Sequence, residues 1–424
     1  MVNEIYFMRQ ILDLHIHSRY SRACSPQLTL ANIDKACRLK GVDIIATGDF
    51  TYPAWFASIK NELEETFPKS GLYKLKTAPD DKAKFILSSE VALIYKDKDK
   101  VRRIHLVIHA PNISAAEKLN KQLDKKYNIR SDGRPILGIK APDLVELILK
   151  IDQNFLIYPA HIWTPWFSVF GSKSGFDTLE ECFEEQTKHI YAFETGLSSD
   201  PEMNWRLSAL DGLTLLSNSD AHSTINIARE ANIMEISEPI TYQKIYDNIK
   251  NKKGMIETIE FYPEEGMYHF DGHRSCGFSC EPSESRKLKN ICPKCKKPLV
   301  IGVLNRVEEL ADRPLGFRPK NAVGFKKLVE LDKIIAEAYN IKSRSSLTVQ
   351  KEYASLINRF GSELNILLNL DLIKISREVD ARIIDGIKKV RSGELIIKPG
   401  FDGEYGKINI FSEEKRIGAQ KKLL

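Results

Sequence analysis

Apolar and polar positions in this chain alternate in short bursts that stop at a histidine or a carboxylate. Such runs occupy residues 11–17, 43–49, 85–90, 104–109, 155–161, 190–194 and 213–220. Short apolar runs bounded by polar clusters predict β-strands. The stretches between them carry a helical rhythm, clearest at 29–40. There Leu30, Ile33, Ala36 and Cys37 share a stripe and Gly41 supplies the stop. Seven strand–helix units in a row predict an α/β fold, either a parallel barrel or a doubly wound sheet. In a barrel the chemistry gathers at the carboxyl ends of the strands, which is where these His, Asp and Glu residues fall.

The rhythm breaks at 263–273, a connector of Glu, Gly, Met, Tyr and Asp, and a cluster of cysteines follows. Residues 299–303 read as a closing strand, and from Arg306 the chain turns helical. Ser376 reads as the N-cap of a helix with Val379, Ile383, Ile384, Ile387 and Val390 on one face, stopped by Gly393. The expected domains are 1–262, 263–304 and 305–424.

Composition adds three points. The seven cysteines include four within 276–295, which fits a metal site in a reducing cytoplasm better than a disulfide framework. No run approaches the 18 or so apolar residues of a membrane helix, and Met1-Val2-Asn3-Glu4 does not open a secretory signal. A cytoplasmic protein with no membrane partner is expected. The net charge of +6 lies in the last part of the chain: from Lys320 onward there are 20 Lys+Arg against 14 Asp+Glu, and the rest balances. That asymmetry points mildly to a polyanionic partner.

The candidate chemistry starts at Asp13-Leu14-His15-Ile16-His17-Ser18. His15 and His17 share one strand face, about 7 Å apart between Cα atoms, and can ligate one ion or two neighbours. Asp49, Glu90, His105, His109, His161, Glu194, Asp220 and His222 are further candidates at strand ends. Imidazoles with bridging carboxylates suit zinc, manganese or iron, and sites with two or three ions hydrolyse phosphoesters. Cys276-x3-Cys280-x11-Cys292-x2-Cys295 has zinc-ribbon spacing, predicting one structural zinc. Beside it Arg274, Arg286, Lys287 and Lys289 could touch phosphates or simply face solvent. Next to His161, the rings of Trp163, Trp166 and Phe167 and the segment Gly171-Ser172-Lys173-Ser174-Gly175 form a loop suited to bases and phosphates. Trp163, Trp166, Phe167, Ser172 and Lys173 are the candidate DNA contacts.

The motifs Asp-Leu-His-Ile-His-Ser, Ala-Thr-Gly-Asp, Ser-Ser-Glu, Arg-Ile-His, Pro-Ala-His and Asp-Ala-His, in that order over residues 11–235, resemble the polymerase-and-histidinol-phosphatase (PHP) family. The resemblance implies a distorted seven-stranded (β/α) barrel with a multinuclear metal site, followed here by a small zinc ribbon and a mainly helical, basic C-terminal domain. It implies His15, His17, Glu90, His105, His161, Asp220 and His222 as ligands, with Glu90 bridging. Asp49-Phe50 stands where most members carry Asp-His, so Asp49 is the expected substitute ligand at a third ion. The segment 159–167, the segment 195–200, the cysteine insert and Lys398-Pro399-Gly400-Phe401-Asp402-Gly403 narrow the resemblance to the endonuclease Q group, whose members are often described as helicase-associated. That resemblance implies a DNA repair endonuclease cutting 5′ to a deaminated base, on double- or single-stranded DNA. Uracil, hypoxanthine, xanthine and abasic sites are the implied lesions. Zinc, manganese or magnesium are the implied ions, and a helicase or sliding clamp is a further implied partner. His17, Glu90 and Asp220 are the expected catalytic residues. A small-molecule phosphomonoesterase and a non-catalytic helicase adaptor are the alternatives.

Overall fold

The computed structural model describes residues 6–77 and 83–412. The segment Met1 to Glu4, on which the secretory reading rests, and residues 413–424 of the basic tail lie outside the described residues. The fold is mixed α/β. Its main sheet has eight strands, in the order Gly324–Lys327, Met255–Glu260, Ala231–Ser237, Phe7–Asp13, Ile44–Ala46, Lys84–Ile86, Leu72–Leu75 and Leu63–Glu65. A four-stranded sheet runs Ile136–Leu137, Ser88–Asp97, Lys100–His109, Leu156–Pro159. Ala192–Glu194 and Thr214–Leu216 form a parallel pair beside Leu156–Pro159.

Pairing departs from the expected all-parallel alternation. Phe7–Asp13, Ile44–Ala46 and Lys84–Ile86 are parallel, but Phe7–Asp13 meets Ala231–Ser237 antiparallel. The run expected at 85–90 is divided: residues 85–86 end the strand Lys84–Ile86, and residues 88–90 begin one long hairpin with the run at 104–109, paired from Ser88 with His109 to Asp97 with Lys100. A parallel crossover needs a dozen or more residues, and only a tight turn through Lys98 (φ 51°) connects these strands. Hairpin pairing still brings Glu90 and His105 to one region, because Glu90 and Val107 are directly opposite.

Other expectations are also revised. Residues 299–303 do not close a sheet: Val300 makes a single bridge to Gly272, and Val303 begins the helix Val303–Leu310. Gly324–Lys327, from the third expected domain, pairs parallel with Met255–Glu260 and so extends the first domain's sheet. The last long helix is Ala381–Ser392, capped by Asp380 and ended by Gly393 in the left-handed conformation. Ser376 instead bonds back to the Ile373 carbonyl within the preceding turn. The buried stripe is as expected, with Val379, Ile383, Ile384, Ile387 and Val390 all inside. The C-terminal helices share a core with the sheet domain, and a buried Lys40–Glu363 ion pair at 2.7 Å ties the two together. Among the described residues no helix is long and apolar enough to cross a membrane.

Strand ends converge where the first strand leaves its sheet. His17 donates its backbone N–H to the Ala221 carbonyl (3.1 Å) and Leu14 donates to Asn218 Oδ1 (2.9 Å). Asp13, fully buried, accepts the backbone N–H groups of Ser219 and Ala228. Burial raises its pKa to about 6, although these bonds act the other way. Residues some two hundred positions apart are thereby locked at one end of the sheets.

Candidate metal centre

Two groups of ligand atoms meet at this end, each with its atoms within 4.8 Å of one another. One is His15, His17 and Asp220; the other is Glu90, His105 and His161. Glu90 links them. Its Oε1 lies 2.8 Å from His105 Nδ1 and 3.1 Å from His161 Nε2, and its Oε2 lies 3.3 Å from His17 Nε2. A carboxylate with one oxygen toward each group occupies the position of a bridge.

Each histidine of the first group is held from behind. His15 Nδ1 meets Glu194 Oε2 at 3.0 Å, and His17 Nδ1 meets Asp49 Oδ1 at 3.1 Å. Both leave Nε2 facing inward, which is how carboxylate–histidine pairs present an imidazole to a metal. The buried atoms His15 Nε2, His17 Nε2 and Asp220 Oδ1 make no well-formed hydrogen bond among the described residues, although they crowd together, His17 Nε2 lying 3.0 Å from Asp220 Oδ1. Three orphaned polar atoms around one point are costly unless a cation satisfies them. The donor set therefore fits divalent ions.

The electrostatics agree. Burial opposes charge on His15 and His17, yet Glu194 and Glu90 at the first, and Asp220, Asp49 and Glu90 at the second, hold both imidazoles well above their usual pKa. Glu90 lies well below its usual range: burial opposes this, and His105 and Arg134 outweigh it. Asp220 is likewise held low against burial, chiefly by His17. The centre is built to hold positive charge, as protons or as metal ions. His105 differs, because burial lowers its pKa to about 4 despite Glu90, so its imidazole is neutral at ordinary pH.

Local backbone places these groups. Asp49, His161 and Asp220 all have positive φ (48°, 27° and 45°), a conformation that L residues adopt only where surroundings impose it. At Gly196 a Cβ would run into the side chain and backbone of His161. Glycine there lets the Thr195-Gly196 turn pass behind that ligand.

Two expected ligands, Asp49 and His222, and the further candidates His109 and Glu194 lie outside the two groups. Asp49 is fully buried and spent on supports: besides His17 it accepts from Ser18 N–H (2.7 Å), Ser18 Oγ (2.6 Å) and Ser21 Oγ (2.8 Å). It orients His17 and lies outside both ligand groups. His222 also lies outside them. Its ring packs 4.6 Å from that of His17 and its Nδ1 is 2.8 Å from the Asp220 carbonyl oxygen. His109 is buried behind the centre, with Nε2 3.1 Å from Tyr158 Oη, and burial drops its pKa to about 3. Glu194, beyond holding His15, accepts from His161 N–H (2.8 Å) and Asn218 Nδ2 (2.9 Å).

The aromatic loop divides. Trp163 is a core residue, 1% exposed, with its indole N–H on Asn204 Oδ1 (2.8 Å). It cannot meet a ligand at the surface. Phe167 packs 4.5 Å from the His105 ring, and its carbonyl accepts the His105 N–H. Trp166 is 39% exposed and lines a cavity of about 260 Å³ with Thr164, Pro165, Ser198, Met267 and Tyr268. Thr164 Oγ1 is also 3.1 Å from His161 Nδ1, so one wall residue of the cavity touches the imidazole of a candidate ligand. Ser172 and Lys173 are exposed on the same loop.

In the cysteine region, Cys276, Cys292 and Cys295 gather with His273. Cys280 is outside this group, although it packs with Cys292 and Leu299 in one small apolar cluster beside it. Register explains the exchange. In the hairpin of Asp271–His273 with Phe278–Cys280, His273 pairs with Phe278 at the turn, beside Cys276, while Cys280 is opposite Asp271. That is two residues, about 7 Å, further along the strand. His273-x2-Cys276 then repeats the two-residue gap of Cys292-x2-Cys295. Burial disfavours a Cys292 thiolate, but the N–H groups of Cys295 and Lys294 overcome it and lower its pKa. Cys295 Sγ is 3.6 Å from His273 Nδ1. The donor set fits tetrahedral zinc.

Arg134 is the functional-site residue that the sequence did not single out, and Glu194, a strand-end candidate, supports the imidazoles from outside the two groups. Arg134 Nη1 lies 2.9 Å from Glu90 Oε2.

Known proteins resemble the chain over its length. The family model of the MJ0043 C-terminal domain matches residues 330–394. The uncharacterised protein MJ0043 of Methanocaldococcus jannaschii is 32% identical over 253 residues, 58% of this chain but 31% of that longer protein. The uncharacterised protein YqxK of Bacillus subtilis is 28% identical over 426 residues, spanning 93% of this chain and 98% of YqxK. The lesion-specific endonuclease PfuEndoQ of Pyrococcus furiosus has a TM-score of 0.83 at 30% identity, with 96% of each chain covered. An endonuclease Q complexed with a 27-mer duplex substrate, an abasic lesion at its active site, has a TM-score of 0.82 at 30% identity, covering 96% of this chain and 98% of that one.

Proposed function

The chain belongs to the endonuclease Q family, and on that premise we propose that it is a metal-dependent DNA repair endonuclease. It hydrolyses the phosphodiester bond on the 5′ side of a deaminated base such as uracil or hypoxanthine. The observation that carries this reading is the pair of ligand groups joined by Glu90, with three buried ligand atoms of the first crowded together without a well-formed hydrogen bond. His15, His17 and Asp220 would hold one divalent ion, and His105 and His161 a second, with Glu90 between them. Ions bound there supply an activated water and stabilise the attacking and leaving oxygens of an in-line displacement.

The chain's own residues supply the rest. Glu194 and Asp49 fix the imidazoles so that Nε2 points inward. Asp220, whose side chain is 20% exposed, is the carboxylate of the centre best placed to take a proton from an approaching water. Metal ligands clamp phosphates without regard to the base, so selectivity needs a separate pocket. The cavity between Trp166 and Tyr268 is adjacent to His161 and large enough for an extruded base, and a mispaired deaminated base costs least to extrude. His273, Cys276, Cys292 and Cys295 would hold a structural zinc beside that cavity's wall at 263–269.

The test is a duplex with one uracil, labelled at either end, incubated with manganese, magnesium or zinc. A single cut immediately 5′ of the uracil is expected, absent from the matched thymine duplex. Equal cutting of both duplexes would refute the lesion specificity.

A further inference from the structure

We propose that Arg134 is the phosphate clamp of this centre: its guanidinium holds a non-bridging oxygen of the scissile phosphodiester. The inference rests on the phosphodiesterase reading above and adds a substrate contact to it. Arg134 comes from a loop outside the strand-end series. Residues 131–135 precede the short strand Ile136–Leu137, which pairs with Ser88–Asp97 beside Glu90.

The loop is pinned at several points. Gly133 donates its N–H to the Tyr20 carbonyl (3.0 Å), Asp132 Oδ1 accepts from the N–H groups of Arg22 and Arg134, and the Pro135 carbonyl accepts from Ala92. A Cβ at Gly133 would collide with Ser21 Oγ and Asp49 Oδ2. Glycine lets the loop press against the support of His17, and the next side chain enters the centre.

Arg134 makes one bond there, Nη1 to Glu90 Oε2 at 2.9 Å. Among the described residues its Nε and Nη2 have no partner, and the side chain is 24% exposed. A guanidinium offers five donors in a planar fork suited to phosphate, and most of this one is uncommitted and reachable from solvent. A counter-ion for Glu90 is an incomplete account of it. His105, His161 and His17 already contact that carboxylate, and divalent ions at the two groups would neutralise it outright. A further fixed cation then exceeds what the ligands need and matches an incoming anion. Arginine rather than lysine suits the place, since one edge can stay on Glu90 while another takes an oxygen.

Inorganic phosphate titrated calorimetrically into the metal-loaded chain is the direct test, with Arg134→Gln and Arg134→Lys in parallel and bound ions counted. The Gln variant is expected to bind phosphate about ten- to a hundredfold more weakly with unchanged ion content, and the Lys variant in between. On the uracil duplex, Arg134→Ala is expected to lose kcat/KM over the same range and to recover part of it with added guanidinium ion. Wild-type phosphate affinity in Arg134→Gln overturns the proposal. So does loss of bound ions in step with phosphate, which would make Arg134 a support for Glu90 alone. If the wild type cuts no DNA while the phosphate pattern holds, the endonuclease reading falls and the clamp stands.

Discussion

Replacing Glu194 by glutamine should uncouple the metal centre from its support while leaving every ligand in place. Glu194 is fully buried and meets three donors: His15 Nδ1 at 3.0 Å, the His161 N–H at 2.8 Å and Asn218 Nδ2 at 2.9 Å. A glutamine has the same shape but only one accepting oxygen, and its NH2 would face a donor. One buried donor–donor conflict costs about 1–3 kcal/mol. At about 2–4 °C per kcal/mol for a domain of this size, the melting temperature should fall by roughly 2–12 °C. The neutral partner also leaves His15 less basic, and losing such a support costs about 10- to 100-fold in metal affinity. Binding isotherms for manganese and zinc, with melts in metal and in chelator, read both effects. If E194Q binds both ions as tightly as wild type, Glu194 does not orient His15 for a metal and the two-layer account of the centre is wrong.

Three further outcomes are expected. His273→Ala should lose the structural zinc and Cys280→Ser should keep it, with cobalt-substituted protein showing a three-thiolate spectrum; zinc retained in the first and lost in the second would restore the four-cysteine set. Trp166→Ala should reduce cleavage of uracil in duplex by about 5- to 150-fold, as base–aromatic contacts are worth roughly 1–3 kcal/mol, with a smaller loss on single strands that have no stack to open; equal losses on both would limit Trp166 to packing. Glu260 is buried, and burial together with Asp200 raises its pKa to about 8, against bonds from Thr258 and Thr195. The folded state therefore keeps a proton that the unfolded chain releases near pH 4.5. Stability from this group is full below that pH and lost as pH rises to 8, by up to about 1.4 kcal/mol per pH unit. Melts of Glu260→Gln should decline less over pH 5–8 than wild type, and parallel curves would show that Glu260 is not protonated when folded.

The residues legible in the sequence were those whose signal is local. His17, Glu90, His161 and Asp220 each end an apolar run, His15 and His105 lie within one, and the structure brings all six together. The helix at 30–40 announced itself through its apolar stripe and Gly41 stop; the Thr29 cap was seen only in the structure. What local pattern does not encode is pairing direction, so residues 88–109 read as parallel strands where the chain makes a hairpin. Nor does it say which way a ring points: Trp163 and Trp166 read alike, and one is core. Asp49 had the right chemistry for a ligand, but hydroxyls at Ser18 and Ser21 occupy it. The His273-x2-Cys276 spacing was available in the sequence and was hidden by the neighbouring Cys280. Arg134 gave no signal, since it acts on a residue 44 positions away.

The central claim is that His15, His17, Asp220, Glu90, His105 and His161 form a metal centre that cuts DNA at a damaged base. Single-turnover cleavage of an end-labelled uracil duplex by wild type and by His17→Ala, with bound ions counted in both, tests it most directly. The account expects one incision 5′ of the uracil that chelator abolishes and manganese restores. In the variant, loss of at least one ion and a rate about a thousandfold lower or less are expected, since such ions supply several kcal/mol. Incision by His17→Ala at a near-normal rate with its full ion content would contradict it.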